Sequence, residues 1–294
     1  MQRRDFVKAG AASLVCASAS IESSSIFAAI EKLPLGLQLY SVRDLLPKDF
    51  AGTLKQLGEL GFKEVESAGY YNHSAAEVKQ ALSDAGLKLV SAHYPYGALS
   101  KDIDRIIDFH HRLGVGHVVC SSPGRAPDRV DSASGMTLED WRWNAGEFNK
   151  FGEKMTAASI QFGYHNHIPE FHVTDGVLPY AELMRLTDPA KVTFEMDCGW
   201  AIVGGGNPVE MLHTYPKRIG MLHVKDFNLA GKNAKGEPKV EELGLGTVDY
   251  RLIFEAASKT GNIEHIFVEQ EAFNVPWRQS LKVDADYMRK LGAA

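Results

Sequence analysis

Apolar and polar positions alternate along the chain in short runs that predict strands, and a longer run with helical spacing follows each of them. These pairs of runs repeat between Leu35 and Leu291. Alternating strands and helices joined by short connections are typical of a parallel sheet covered by helices. The predicted strands are Leu35–Ser41, Lys63–Ser67, Lys88–His93, His117–Ser121, Ile160–His165, Val192–Asp197, Arg218–Val224 and His265–Gln270.

Helical spacing is found between these strands, and Ser74 with Glu77 forms a capping-box start for one of the helices. The segment Asn228–Gly246 is too long for a simple connection, and its composition predicts an irregular insertion. The predicted helices are Lys48–Leu60, Ser74–Ala85, Lys101–Leu113, Leu138–Ala158, Leu178–Leu186, Pro208–Thr214, Thr247–Thr260 and Trp277–Leu291.

Eight strand–helix units predict an α/β fold of the closed (β/α)8 type, a TIM barrel, because such barrels have about 250 residues. We assign residues 30–294 to this single domain. No Gly-x-Gly-x-x-Gly motif follows the first strand, which disfavours a dinucleotide-binding domain.

Residues 1–29 predict an export signal. Arg3 and Arg4, followed by Phe6 and Lys8, resemble a twin-arginine signal, and a short apolar stretch with small residues follows them. We therefore expect an exported, periplasmic protein. A disordered tail with no role in sorting is the alternative.

The chain has 294 residues and a formal net charge of −5. A mildly acidic balance does not favour binding to nucleic acid or to an anionic membrane. After the predicted signal, no stretch approaches the roughly 20 apolar residues of a membrane span. Only Cys120 and Cys198 lie in the predicted domain, in or beside strand-like runs, so we expect no disulfide framework.

The run Ile219–Val224, which ends just before Lys225 and Asp226, shows what the strand ends carry. Alternate residues of a strand share a face, so His223 lies with Met221 and Lys225 on the opposite side from Leu222 and Val224. A single histidine in such a place is more often structural than a ligand. Its role therefore depends on whether other strand ends carry ionisable groups.

Almost every predicted strand ends in a polar side chain on the inner face, where packing alone would favour Val, Ile and Leu. These residues are Gln38, Tyr40, Glu64, Glu66, His93, Ser121, His165, His167, Glu195, Asp197, Glu269 and Glu271. Several carboxylates in one buried mouth would be unstable without a cation. We therefore predict one divalent metal ion, bound by Asp197, His223 and Glu269 and completed by His165 or a group near it. Manganese, zinc or cobalt suits such ligands better than magnesium.

Several short motifs occur in a characteristic order. They are Gly36–Arg43, Tyr164-His165-Asn166-His167, Asp197-Cys198-Gly199, His223-Val224-Lys225-Asp226, Gly244-Leu245-Gly246 and Val268-Glu269-Gln270. Together they resemble the sugar phosphate isomerase/epimerase family, the xylose-isomerase-like barrels, over the whole mature chain.

The resemblance implies a metal bound by a Glu on strand five, an Asp on strand six, a His on strand seven and a Glu on strand eight. Asp197, His223 and Glu269 match this pattern, but strand five carries His165, with Glu170 as an alternative ligand. In the epimerases of the family, two glutamates transfer the proton, so the missing one puts a plain two-base epimerisation in doubt. The Tyr-His-Asn-His motif resembles the subgroup with inosose-dehydratase-like proteins.

We expect an isomerase or epimerase that abstracts a proton next to a metal-bound carbonyl of an unphosphorylated sugar. The candidate catalytic residues are Glu269, His165, Lys225 and His93. The candidate substrate-binding residues are Gln38, Tyr40, Glu66, His167, Trp200 and Glu271. Lys225 has the alternative of an ion pair with Asp226 or Glu195, and Trp200 and Tyr40 have that of ordinary packing.

Two other functions stay open. One is a lyase or hydrolase acting on 3-keto-glycosides or keto-inositols, and the other is a non-catalytic exported sugar-binding protein. The charge and the predicted signal argue against an abasic-site endonuclease of the same barrel family. The expected partner is a small sugar, and a homo-oligomer is left open.

Overall fold

A computed structural model describes residues 33–129, 135–233 and 236–293. Eight parallel strands close into a barrel in the order β1-β10-β7-β6-β5-β4-β3-β2, and β8 and β9 form a separate antiparallel pair. The predicted (β/α)8 barrel is therefore confirmed. The strands are β1 Gly36–Gln38, β2 Glu64–Ser67, β3 Lys88–Pro95, β4 His117–Ser122, β5 Gln161–His165, β6 Val192–Asp197, β7 Ile219–Val224, β8 Asp226–Lys232, β9 Pro238–Glu241 and β10 His265–Val268.

The helices surround the barrel, and side-chain caps fix where several of them begin. Ser74 and Glu77 form the predicted capping box, and Thr137 forms a second one with Asp140. The helices are α1 Phe50–Leu60, α2 Ala75–Ala85, α3 Tyr96–Leu113, α4 Leu138–Ala157, α5 Pro179–Leu186, α6 Cys198–Val203, α7 Pro208–Thr214, α8 Tyr250–Thr260 and α9 Trp277–Lys290.

Two sequence predictions were wrong in detail. The first strand was expected to cover Leu35–Ser41, but after Gln38 the chain turns into a 3-10 helix, Leu39–Val42. The Gln38 side chain accepts a hydrogen bond from the backbone N–H of Tyr40 and so stabilises this turn. The insertion expected to be irregular contains the β8–β9 hairpin. Helix α6 was not predicted; it begins where the Asp197 carboxylate caps the N–H of Trp200 at 2.7 Å.

The two faces of the barrel strands differ as the sequence predicts. Leu222 and Val224 of β7 belong to the main apolar core, and Ile266 and Val268 of β10 belong to it too. Inside the barrel, a small apolar layer separates the two mouths and consists of Val90, Val119, Met221 and Phe267. Polar residues lie on both sides of this layer, so the ionisable side chains form one group at each mouth.

Both cysteines that the structure describes, Cys120 and Cys198, are buried and free, as expected. Within the described ranges, no helix is both long enough and apolar enough to cross a bilayer. The predicted export signal, residues 1–29, lies outside the described residues.

The Asp226 carboxylate holds the loop that follows the hairpin. It accepts hydrogen bonds from four backbone N–H groups, those of Phe227, Gly244, Gly246 and Val248, at 2.8 to 3.1 Å. Gly244 has φ +80°, and a Cβ atom at Gly246 would lie 2.2 Å from Asp226 Oδ1, so both positions favour glycine. The Gly-Leu-Gly motif is thus explained by the close approach of this loop to one buried carboxylate.

We expect Asp226→Asn to lower the free energy of unfolding by about 2–4 kcal/mol, because an amide nitrogen would replace an oxygen that accepts backbone N–H groups. Urea denaturation measures this change. The control is Asp286→Asn on exposed α9, where loss of surface ion pairs with Lys282 and Arg289 should cost less than about 1 kcal/mol. Equal stability of the two variants would contradict this account of the loop.

Candidate metal centre

Four side chains of the types that bind metals meet at the carboxyl ends of the strands. They are His165 at the end of β5, Asp197 at the end of β6, His223 on β7 and Glu269 directly after β10. All four are buried, and their ligand atoms lie within 4.8 Å of one another. Asp197 is in register with His223 in the sheet, which explains why the two meet. The structure therefore brings together the four residues that the sequence named as the seat of a metal.

The ammonium group of Lys225 lies beside this seat. Its Nζ atom is 2.8 Å from Asp197 Oδ2 and 2.6 Å from Glu269 Oε2, and it also donates to Glu271. The side chain is 1% exposed. Burial alone would lower the pKa of Lys225, but the carboxylates of Asp197 and Glu269 outweigh it and raise this pKa well above its usual value. A permanent positive charge therefore lies against two of the four seat residues.

The alternative partners that the sequence suggested for Lys225 were wrong. The carboxylate of Asp226 is directed at the backbone of the loop after the hairpin. The carboxylate of Glu195 is surrounded by histidines. Lys225 instead contacts acids on neighbouring strands, because the side chain runs toward the mouth of the barrel.

A layer of carboxylates lies below the seat, and Glu195 is at its centre. Glu195 Oε2 is 2.6 Å from His93 Nε2, 2.9 Å from His165 Nδ1 and 3.2 Å from His223 Nε2. The sequence placed Glu195 on the inner face of its strand, two residues before Asp197, and as an alternative partner for Lys225, but it gave no sign that three histidines meet this carboxylate.

Glu66 belongs to the same lower layer. Its Oε2 atom accepts a hydrogen bond from Gln38 Nε2 at 2.7 Å and lies 2.7 Å from His223 Nε2. Both Gln38 and Glu66 are fully buried. The sequence suggested that they contact substrate; in the structure neither lines the cavity above the seat, and Glu66 contacts the inner nitrogen of His223.

The two seat histidines connect the layers. In His165, Nδ1 contacts the Glu195 carboxylate and Nε2 lies 3.8 Å from Asp197 Oδ2. In His223, Nε2 contacts the Glu66 carboxylate and Nδ1 lies 3.1 Å from Glu269 Oε2. Each imidazole therefore has one nitrogen on a lower carboxylate and one facing the seat, an arrangement common for metal-ligating histidines.

The charges of the seat also suit a cation. Asp197 Oδ2 is buried and lies 2.8 Å from the ammonium of Lys225. Burial raises the pKa of Asp197 to about 6, against the effect of Lys225. Burial and the neighbouring His223 hold the pKa of His165 well below its usual value, so this ring is neutral and able to ligate. The donor set thus fits a divalent metal.

A cavity of about 320 Å³ opens above the seat. Burial alone would lower the pKa of His93, but Glu66 and Glu195 raise it to about 9. Burial and Lys225 lower the pKa of His167 to about 4. The lining residues are Tyr40, Ala68, His93, Pro95, Ser121, Ser122, His165, His167, Glu269 and Glu271.

Two other candidates lie outside the lining of this cavity. Trp200 donates from Nε1 to Glu271 at 2.9 Å, and its ring lies 5.0 Å from Lys225 Nζ, so it braces both side chains. Glu170 is buried and accepts a hydrogen bond from the Tyr164 hydroxyl. Since Tyr164 packs in the core on the helix side of β5, the structure places His165, and not Glu170, at the seat.

The chain matches the family model described as xylose isomerase-like TIM barrel over residues 54–291. It is 24% identical over 249 residues to an inosose dehydratase of Lacticaseibacillus casei, which covers 76% of this chain and 82% of that protein.

Solved structures show the same fold. A sugar phosphate isomerase/epimerase from Parabacteroides distasonis superposes with a TM-score of 0.71 at 25% identity, covering 94% of this chain and 98% of its own. The IOLI protein, solved with a bound zinc atom, superposes with a TM-score of 0.67 at 11% identity, covering 88% and 98%. The family model alone spans most of the described barrel, and the protein therefore belongs to the xylose isomerase-like TIM barrel family.

Proposed function

We propose that this protein is a divalent-metal-dependent lyase that acts on an unphosphorylated keto-sugar or keto-cyclitol. The reaction removes the proton from a carbon next to the carbonyl, and the substituent on the following carbon leaves as water or as an alcohol. The observation that carries the proposal is the buried set of His165, Asp197, His223 and Glu269 beneath an open cavity. The inosose dehydratases among the relatives favour elimination over isomerisation.

The nature of the seat supports the choice of metal. Two imidazoles and two carboxylates favour zinc, manganese or cobalt over magnesium. Bound in this seat, such an ion would polarise the carbonyl and a neighbouring hydroxyl of the substrate.

Three side chains are placed to move protons. Glu271 lines the cavity outside the seat and is oriented by Trp200 Nε1 and by Lys225, so we assign it the abstraction of the proton. Glu269 also faces the cavity and is the alternative base. His93 lines the cavity and is hydrogen-bonded to Glu195, which makes it the donor of a proton to the leaving group.

The charge of the cavity supports an unphosphorylated substrate. Its lining residues, as described, include Glu269 and Glu271 but neither arginine nor lysine. A phosphate ester would meet two carboxylates, and the described lining lacks the arginine or lysine side chains that phosphate sites normally provide. The export signal proposed for residues 1–29 agrees with this, because sugar phosphates are largely cytoplasmic.

An isomerase or epimerase is the second candidate function. It is favoured by the sugar phosphate isomerase/epimerase from Parabacteroides distasonis, whose chain covers 94% of this one. His165 argues against an isomerase or epimerase, because this residue stands where the family pattern has one of the two glutamates that exchange the proton. Both candidate reactions begin with abstraction of the proton next to the carbonyl. They differ in whether the following carbon then loses its substituent.

The lower carboxylate layer would set the affinity of the seat. For His165 to ligate through Nε2 its proton must be on Nδ1, and Glu195 accepts that hydrogen bond. For His223 to ligate through Nδ1 its proton must be on Nε2, where Glu66 and Glu195 lie. One residue, Glu195, thus orients both histidines, and such positioning residues change metal affinity without touching the ion.

The first prediction concerns metal content. We expect His223→Ala to remove the ion of this seat, because the variant lacks one of its four ligands. Asp197→Asn should do the same while it keeps an oxygen that can cap the N–H of Trp200. Mass spectrometry of the dialysed proteins counts the metal. His213→Ala, at an exposed histidine of α7, is the control. Unchanged metal content in both seat variants would show that the seat is wrong.

The second prediction concerns the positioning layer. We expect Glu195→Gln to weaken metal binding at the seat about 10–100-fold, because a neutral amide orients the two imidazoles less firmly. Calorimetric titration with Co²⁺ measures the change, and the Co²⁺ absorption spectrum reports altered ligation. The control is Glu182→Gln, a buried glutamate paired with Arg142 and Arg185 outside the barrel. If Glu195→Gln binds Co²⁺ as tightly as the wild type does, Glu195 does not position the two histidines.

The third prediction concerns the reaction. We expect the metal-loaded protein to convert keto-inositols or 3-keto-glycosides with loss of water or of the aglycone. Ultraviolet absorption of the unsaturated ketone and NMR in D₂O measure this conversion. His223→Ala should abolish this conversion. Incorporation of deuterium without loss of water or aglycone would support the isomerase candidate and contradict the lyase. Sugar binding that survives chelation, with no exchange of protons, would contradict both.

A further inference from the structure

A second group of ligand-type side chains lies at the opposite, amino-terminal mouth of the barrel. His117 is the first residue of β4, His265 is the first residue of β10, and Glu264 precedes it. In the strand order, β4 and β10 stand on opposite walls of the barrel. Their two imidazoles nevertheless meet edge to face, with ring centroids 5.3 Å apart. The cluster therefore spans the barrel axis below the apolar layer.

The geometry of the three residues suits one metal ion. The ligand atoms of His117, Glu264 and His265 lie within 4.8 Å of one another, and His117 Nε2 is 3.3 Å from Glu264 Oε2. The side chains of the two histidines are 16% and 14% exposed, whereas that of Glu264 is 62% exposed. An ion can thus enter from solvent, and water in the adjoining cavity of about 140 Å³ can complete its coordination.

Glu64 gives His265 the orientation that a ligand needs. This carboxylate, 6% exposed on β2, lies 2.6 Å from His265 Nδ1. The contact places a proton on Nδ1, so a neutral His265 would ligate through Nε2, the pattern of a carboxylate–histidine–metal unit.

The cluster holds two acids and two histidines, and each acid lies against one ring. Glu264 Oε2 is 3.3 Å from His117 Nε2, and Glu64 Oε2 is 2.6 Å from His265 Nδ1. Lys88 Nζ is 3.7 Å from Glu64, but this lysine is 73% exposed and screened by water. Packing at this mouth would not by itself select two histidines and two acids.

We propose that His117, Glu264 and His265 form a second site for a divalent transition metal, with zinc as the ion that two imidazoles, a carboxylate and water suit best. The site is structural: it joins β4 to β10 across the barrel and does not face the substrate cavity. A metal held only by the folded chain stabilises it, so saturating zinc raises the midpoint of thermal unfolding.

The test is a titration of the metal-free, full-length protein with Zn²⁺ alone. Calorimetry measures the number and affinity of the bound ions, and thermal unfolding measures their effect on stability. We expect two ions per wild-type chain and one ion in His117→Ala. Glu264 is mostly exposed, so Glu264→Gln should fold normally and weaken the second ion at least about tenfold. His213→Ala is the control and should bind as the wild type does.

The result also separates this inference from the proposed function. One ion that is kept in His223→Ala and lost in His117→Ala would support this site even if the seat at the carboxyl ends fails. Two ions bound with wild-type affinity in both His117→Ala and Glu264→Gln would overturn it. Binding of a single ion that only His223→Ala removes would overturn it as well.

Discussion

Negative charge buried in the barrel mouth is the constraint on which the rest of the structure depends. Glu66, Glu195, Asp197 and Glu269 are each at most 6% exposed. An unpaired buried carboxylate costs several kcal/mol, so each must meet a cation or a hydrogen-bond donor. Lys225 and the imidazoles of His93, His165 and His223 are the partners that the structure provides. Acids still outnumber the permanent cations, and a divalent ion is the natural counterion for the remainder.

The buried carboxylates are paired in two layers of the barrel interior, and each layer has a different role. The lower carboxylates bind the inner nitrogens of the histidines and leave the outer nitrogens toward the seat. Lys225 lies against Asp197 and Glu269 and keeps these acids ionised. A metal bound in the seat would share these two carboxylates with an ammonium group, so its affinity would depend on the position of Lys225.

Parallel strands explain why the chemistry gathers at one mouth. Neighbouring strands bring Asp197 beside His223 and His165 beside Glu195 in register, although these residues are far apart along the chain. The Asp226 carboxylate accepts hydrogen bonds from the loop after the hairpin, so the chain directly after His223 and Lys225 is tied to that loop. At the other mouth, the same closure brings His117 and His265 together from opposite walls. The closed barrel thus creates two clusters of ionisable side chains, one that faces the substrate cavity and one that does not.

The sequence by itself determined the eight strands, the inner and outer faces, and the seat residues Asp197, His223 and Glu269. These depend on local rules, since a period of two and the end of a strand fix which side chains face the barrel mouth. The tertiary structure decided what those side chains meet: His165 instead of Glu170 at the seat, Asp197 and Glu269 as partners of Lys225, and Glu66 beneath His223. Glu66 and His223 are 157 positions apart in the chain. Such contacts follow from barrel closure and side-chain rotamers, which local patterns do not encode.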